Sequence, residues 1–146
     1  MLTTRLLHPQ ILRALAASGH GSKVLIAAAN FPVSTTRGAN AALVSLALAP
    51  GIVTCTQVLE AIVSVSVFEG AAVIRPPRGD VEREPEAWGE YHRVLSAAGQ
   101  PLRLEPLDGE RFMAEAADPA VALAVATGDE RLYTSLLLTV GVVASR

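Results

Sequence analysis

The chain of 146 residues is short of several residue types, and each shortage excludes something. Cys55 is its single cysteine, so no intramolecular disulfide forms and no cysteine-based metal site can assemble. Lys23 is the single lysine, and the net charge is −2 with no basic stripe. Nucleic acid is therefore not an expected partner, because phosphate contacts need clustered Lys and Arg. Charged residues make up only 18% of the chain. The N-terminal stretch MLTTRLLHPQ has no uninterrupted apolar run of signal-peptide length. With the lone cysteine, this leads to an expectation of a cytoplasmic protein. Residues 41–59 carry no charge and approach membrane-span length, but Pro50-Gly51 sits in their middle. Two short buried elements joined by a turn fit that stretch better than a membrane helix.

What is present is apolar and finely divided. Apolar residues reach 51%, in short runs: VLIAAA, ALVSLALA, AAVI, ALAVA and LLLTV. These runs do not alternate with polar residues, as expected of strands covered on both faces. The pattern predicts a single α/β layered domain, a mostly parallel sheet with helices on both faces. No internal repeat or linker interrupts 1–146.

The spacing predicts a helix over 9–18, with Pro9 in its first turn and Gly19 as a left-handed cap. Strands follow at 24–28 and 43–48, a helix at 56–63 and a strand at 71–74. A Pro-rich charged loop leads into an amphipathic helix over 85–98, stopped by Gly99. A short strand at 102–104, a helix at 112–117 and strands at 121–126 and 136–140 complete the expected set.

In layered α/β domains, ligands gather where loops leave strand ends. Four loops carry chemistry: Gly19-His20-Gly21, Asn30-Phe31-Pro32, Glu110-Arg111 and the segment from Thr127 to Ser135. Flanking glycines let the backbone turn tightly and leave the His20 imidazole uncrowded. An imidazole can give and take a proton near neutral pH. By itself the motif reads slightly better as a turn histidine that merely satisfies backbone carbonyls. The Gly-x-Gly pattern is not a dinucleotide loop, because a helix precedes it and a strand follows. Arg111 offers a fork of donors for hydroxyls or a carboxylate, against the plain reading of a solvated helix-start arginine. Tyr133 offers a ring and a hydroxyl suited to a sugar edge, or a half-buried aromatic. Trp88 and Tyr91 lie three apart on one helix face and read as packing, with stacking on a sugar face as the alternative. Cys55 reads as a small core residue. His8, His20 and His92 are scattered without metal-ligand spacing, so no metal site is expected.

At these loops the sequence resembles the RbsD/FucU family of sugar pyranases and mutarotases. The opening helix into Gly19-His20-Gly21, then VLIAAANFP, is similar to the family's N-terminal signature. EAWGEYHRVLSAAG resembles the mid-chain helix of its fucose-type branch, and GERF followed by VATGDERLYTSLLLTVGVV resembles its C-terminal third. The resemblance implies His20 as catalytic proton donor and Arg111 as a substrate-binding residue. It also implies Tyr133 as the tyrosine of a Tyr-x-Asn sugar-binding motif. Ser135 stands at that motif's asparagine, and Ala28 stands where the family usually has an aspartate. Asn30 and Arg37 are candidates to supply the missing polar contact. The implied activity is interconversion of sugar anomers or ring forms by general acid–base catalysis, with His20 and Tyr133 catalytic. That chemistry needs no metal or cofactor. The implied partners are a monosaccharide and further copies of the chain, in a ring-like homo-oligomer, often a decamer, with sites near subunit contacts. A sugar-binding ring of the same family without turnover is the alternative.

Overall fold

The structure, a computed structural model, describes residues 1–145. The elements run α1 (Pro9–Ala17), β1 (Lys23–Ala27), α2 (Val33–Thr36), β2 (Ala42–Ser45), α3 (Cys55–Val63), β3 (Phe68–Ile74), α4 (Glu86–Ala97), β4 (Leu104–Leu107), α5 (Gly109–Ala116), β5 (Val121–Ala126) and β6 (Leu136–Val140). One six-stranded sheet has the order β2-β5-β1-β6-β3-β4. β1 and β2 pair with β5 in parallel, and β3 pairs with β4 in parallel. β6 is antiparallel to both β1 and β3. Its direction follows from its connection. The segment from Thr127 to Ser135 contains no helix and is too short for a crossover, so the chain turns back.

Alternate residues of each strand face opposite layers. Val24 and Ile26 of β1 join one core with Ile11, Leu15, Leu59, Ile62, Tyr91 and Leu95, which brings α1, α3 and α4 to that face. Leu25 and Ala27 join the other core with Phe31, Phe112 and Ala116, beneath α5. The Phe31 and Phe112 rings meet edge to face at 5.9 Å between centroids. The α/β layered architecture expected from the short apolar runs is therefore the one observed.

Several expected details are corrected. Gly19 does not cap α1. Ser18 ends it in an extended conformation, its hydroxyl donating to Ala14 O at 2.7 Å. The left-handed residue is Gly21, two positions on. α3 starts at a capping box: Thr54 Oγ1 accepts from Gln57 N–H, and the Gln57 side chain accepts from Thr54 N–H. β4 lies at 104–107 rather than 102–104. Pro106 is tolerated because β4 is an edge strand with one partner. A short helix, α2, stands in the loop after β1. Residues 41–59 are β2 and α3 joined through the Pro50-Gly51 turn, and among the described residues no helix is long and apolar enough to cross a membrane.

Candidate active site

β1 separates two clusters of chemically equipped side chains. Its entry end carries His20. Gly21 adopts φ 82°, and its N–H reaches Val140 O at 3.0 Å, so the bend is pinned to the end of β6. The imidazole is left in solvent, its side chain 60% exposed. Its Nε2 lies 2.8 Å from Glu69 Oε1, at the start of β3. A carboxylate only accepts, so Nε2 carries the hydrogen, and in the neutral ring Nδ1 is the free acceptor. A hollow of about 340 Å³ opens beside this pair, lined by Ser18, His20, Ser66, Gln100 and Val143. Gln100 fixes its wall: its amide donates to Ser66 O at 3.0 Å and to Val63 O at 3.3 Å, and accepts from Phe68 N–H at 2.8 Å.

The exit end of β1 carries Asn30, Tyr133 and Ser135. Asn30 is exposed in the turn after β1. Ser135 is buried, and its Oγ accepts the Ala28 N–H at 3.0 Å. Ala28 is itself buried, so the two positions that depart from the expected pattern touch each other. Tyr133 is half-buried with φ 61°, the one left-handed non-glycine among the described residues. That conformation costs on the order of 1–2 kcal/mol and has to be held by its surroundings.

The holding network was not foreseen from the sequence, and it is a densely hydrogen-bonded cluster. Asp129 is buried, and its carboxylate accepts from Cys55 N–H at the start of α3 at 3.0 Å. It also accepts from Arg131 Nε at 3.0 Å and Nη2 at 2.9 Å. Arg131 reaches across to Glu90 of α4, Nη1 to Oε2 at 2.6 Å. Burial alone would raise the Asp129 carboxyl, but the Arg131 guanidinium and the two backbone N–H donors outweigh it and hold it below its ordinary value. Hydrogen bonding to Arg131 likewise lowers Glu90, and Asp129 and Glu90 together raise Arg131. Cys55 packs against Thr127 and Thr134, and burial pushes its thiol up to about 11. It is an inert core thiol at neutral pH. The sequence signal for this network was thin: a polar loop after β5, with partners 41 and 74 positions away.

Arg111 opens α5 at the end of β4. Its N–H is accepted by the Asp108 side chain at 2.8 Å, and its guanidinium pairs with Glu115 at 3.4 Å and Glu105 at 3.8 Å. Glu115 also meets Lys23 at 3.7 Å. The Arg111 guanidinium is itself exposed, and its pairs contribute about 0–1 kcal/mol each. Arg111 is therefore loosely held and free to exchange partners.

One copy of the chain does not gather His20, Arg111 and Tyr133 around a common hollow. β1 alone puts about 13 Å between its ends, and β4 is three strands from β1. The physical reason is that His20 precedes a strand and Tyr133 lies level with the end of that same strand.

Comparison with known proteins settles the relationship. The sequence model of the RbsD / FucU transport protein family matches residues 1–143. The chain belongs to the RbsD/FucU family. Human fucose mutarotase is 35% identical over 146 residues, with 95% of this chain and 91% of that protein covered. D-ribose pyranase of Paracidovorax citrulli is 31% identical over 142 residues, covering 97% and 98%. Among solved RbsD/FucU structures, fucose mutarotase of Streptococcus pneumoniae in complex with L-fucose superposes with a TM-score of 0.78 at 24% identity, covering 94% of each chain. Bacillus subtilis RbsD complexed with D-ribose gives 0.79 at 19% identity, covering 99% and 100%. The fold is thus the RbsD/FucU fold, and both ends of β1 lie inside the matched region.

Proposed function

We propose that this chain interconverts the anomers or ring forms of a free monosaccharide by general acid–base catalysis, on a fucose-like or related sugar. The observation that carries the reading is His20. It is an exposed, glycine-flanked imidazole with its Nε2 hydrogen on Glu69, in a chain related over nearly its whole length to fucose mutarotases and a ribose pyranase.

Opening a cyclic hemiacetal breaks the bond between the anomeric carbon and the ring oxygen. The ring oxygen takes up one proton as that bond breaks, the anomeric hydroxyl gives one up as its C–O becomes the carbonyl, and reclosure reverses both transfers, so the catalyst has only protons to move. His20 handles one of these protons through Nδ1, with Glu69 fixing the tautomer. Tyr133 or a bound water handles the other. Arg111, Asn30 and Ser135 orient the sugar hydroxyls. Because one copy keeps His20 and the Tyr133 loop at opposite ends of β1, a complete site takes His20 from one copy and Tyr133 from another. A ring-like homo-oligomer, such as the decamer the resemblance implies, would supply that arrangement. The lone, buried Cys55 is compatible with a reducing cytoplasm.

NMR exchange spectroscopy of L-fucose, D-ribose, galactose and rhamnose anomers tests the proposal. Parent protein should speed exchange of at least one sugar, and His20→Ala should lose about 10²–10⁴-fold of that gain. A His20→Ala protein as fast as the parent refutes the assignment. A second reading, a sugar-binding protein without turnover, is favoured by one observation. Ala28 offers no polar side chain, and the Ser135 hydroxyl is already engaged by the Ala28 N–H. Calorimetric binding without faster exchange would select it.

A further inference from the structure

We infer that Trp88 and Tyr91 of α4 are positioning residues for Tyr133, holding its ring in place through the backbone on either side. The inference rests on the reading of Tyr133 as part of the sugar site. Trp88 Nε1–H donates to the Tyr133 carbonyl at 3.0 Å, and the Tyr91 hydroxyl donates to the next carbonyl, that of Thr134. Both aromatic side chains are buried. They lie three apart on one helical face, so a single rigid element grips two consecutive peptide units. Glu90, between them in sequence, ties the same helix to Arg131 two residues before Tyr133. Three contacts from about one turn of α4 thus converge on the segment around the one left-handed non-glycine among the described residues.

A left-handed tyrosine persists only where neighbours over-determine it, and such residues concentrate where geometry matters for chemistry. A buried indole N–H and a buried phenol hydroxyl each need an acceptor in any packing. What is particular here is that the two acceptors are consecutive carbonyls of the Tyr133 segment. The geometry therefore separates two contributions. The aromatic rings hold the core together, and their polar atoms set the direction of the Tyr133 side chain.

The test is a double-mutant comparison. Trp88→Phe keeps a buried ring and removes the donor. It is expected to slow L-fucose or D-ribose anomer exchange about 10- to 100-fold, with little change in calorimetric sugar affinity. In a Tyr133→Phe background the same change should add no more than about twofold, because the group being positioned is already gone. Full exchange activity in Trp88→Phe, with Tyr133→Phe impaired, overturns the inference while leaving the sugar site standing. Full activity in Tyr133→Phe overturns the reading of the site, and the inference with it. Tyr91→Phe supplies a second variant should Trp88→Phe not fold. Trp88 is also the single tryptophan, so the unaltered protein shows one indole N–H resonance. That resonance should be protected from solvent exchange and shift on saturation with sugar. Free exchange of the indole hydrogen with solvent overturns the inference without any substitution.

Discussion

Replacing Asp129 with asparagine is the sharpest test of what holds the Tyr133 loop. Asp129→Asn keeps the shape and removes the charge. The native carboxylate accepts two hydrogen bonds from the Arg131 side chain, one from Arg131 N–H and one from Cys55 N–H at the start of α3. A bond to a charged group contributes about 1.5–3 kcal/mol. Asparagine can still accept at one oxygen, but its NH₂ now faces either the Cys55 amide or the guanidinium, donor against donor. Removing one partner of a buried pair costs about 3–5 kcal/mol. Arg131 is about one-third exposed and keeps Glu90, which lowers the cost. The expected loss is about 2–4 kcal/mol, or roughly 5–15 °C in melting temperature for a domain of this size. The pH dependence should change too. The folded Asp129 carboxyl is lowered relative to the unfolded chain, so its contribution is complete above about pH 4. It is lost as pH falls through the folded value. Asp129→Asn should therefore flatten the acid limb of the stability curve. Thermal unfolding by circular dichroism, at equal protein concentration and between pH 3 and pH 7, reads both effects. A variant that melts within about 2 °C of the parent with an unchanged acid limb refutes the reasoning.

Three other outcomes are expected. Glu69→Ala should reduce anomer exchange by freeing the His20 ring to adopt either tautomer. Nitrogen-15 NMR of the imidazole should show mixed tautomers where the parent shows the Nε2–H form, and an unaltered spectrum counts against the pairing. Cys55 should resist alkylation at pH 8 in the native protein and react at once in denaturant, because burial keeps the thiol protonated up to about 11; rapid native labelling, followed by mass spectrometry, would contradict its placement. Gly128→Ala should destabilise by about 1–3 kcal/mol or more. A Cβ there would run into the carbonyl oxygens of Ala49 and Ile52, which belong to the backbone and have little room to yield; a chemical denaturation midpoint equal to the parent's would show that the loops can separate.

The short apolar runs, the amphipathic helix at Glu86–Ala97 and the punctuation at Gly99 and Pro50-Gly51 were readable because each is a local property. Period, composition and backbone freedom act over a few residues and leave their mark in the same few residues. His20, Asn30, Tyr133 and Ser135 were legible as loop residues for the same reason. That His20 and Asn30 stand at opposite ends of one strand was also legible, since one precedes VLIAAA and the other follows it.

Pairing was not legible. The order β2-β5-β1-β6-β3-β4 is fixed by which apolar faces bury together, and that is a sum over the whole core. Glu69 meets His20 only because β3 lies two strands from β1, with β6 between. Arg131 finds Glu90, and Asp129 finds Cys55, across long stretches of chain for the same reason. The left-handed backbone of Tyr133 belongs to this second group. Its residue type disfavours that conformation, and contacts from α4 to the Tyr133 and Thr134 carbonyls make the strain bearable. Local chemistry thus chose most of the elements and the polar loop side chains by itself. Which of them face each other was decided only when the sheet closed around its core, because burial is collective and a hydrogen bond needs both partners in place.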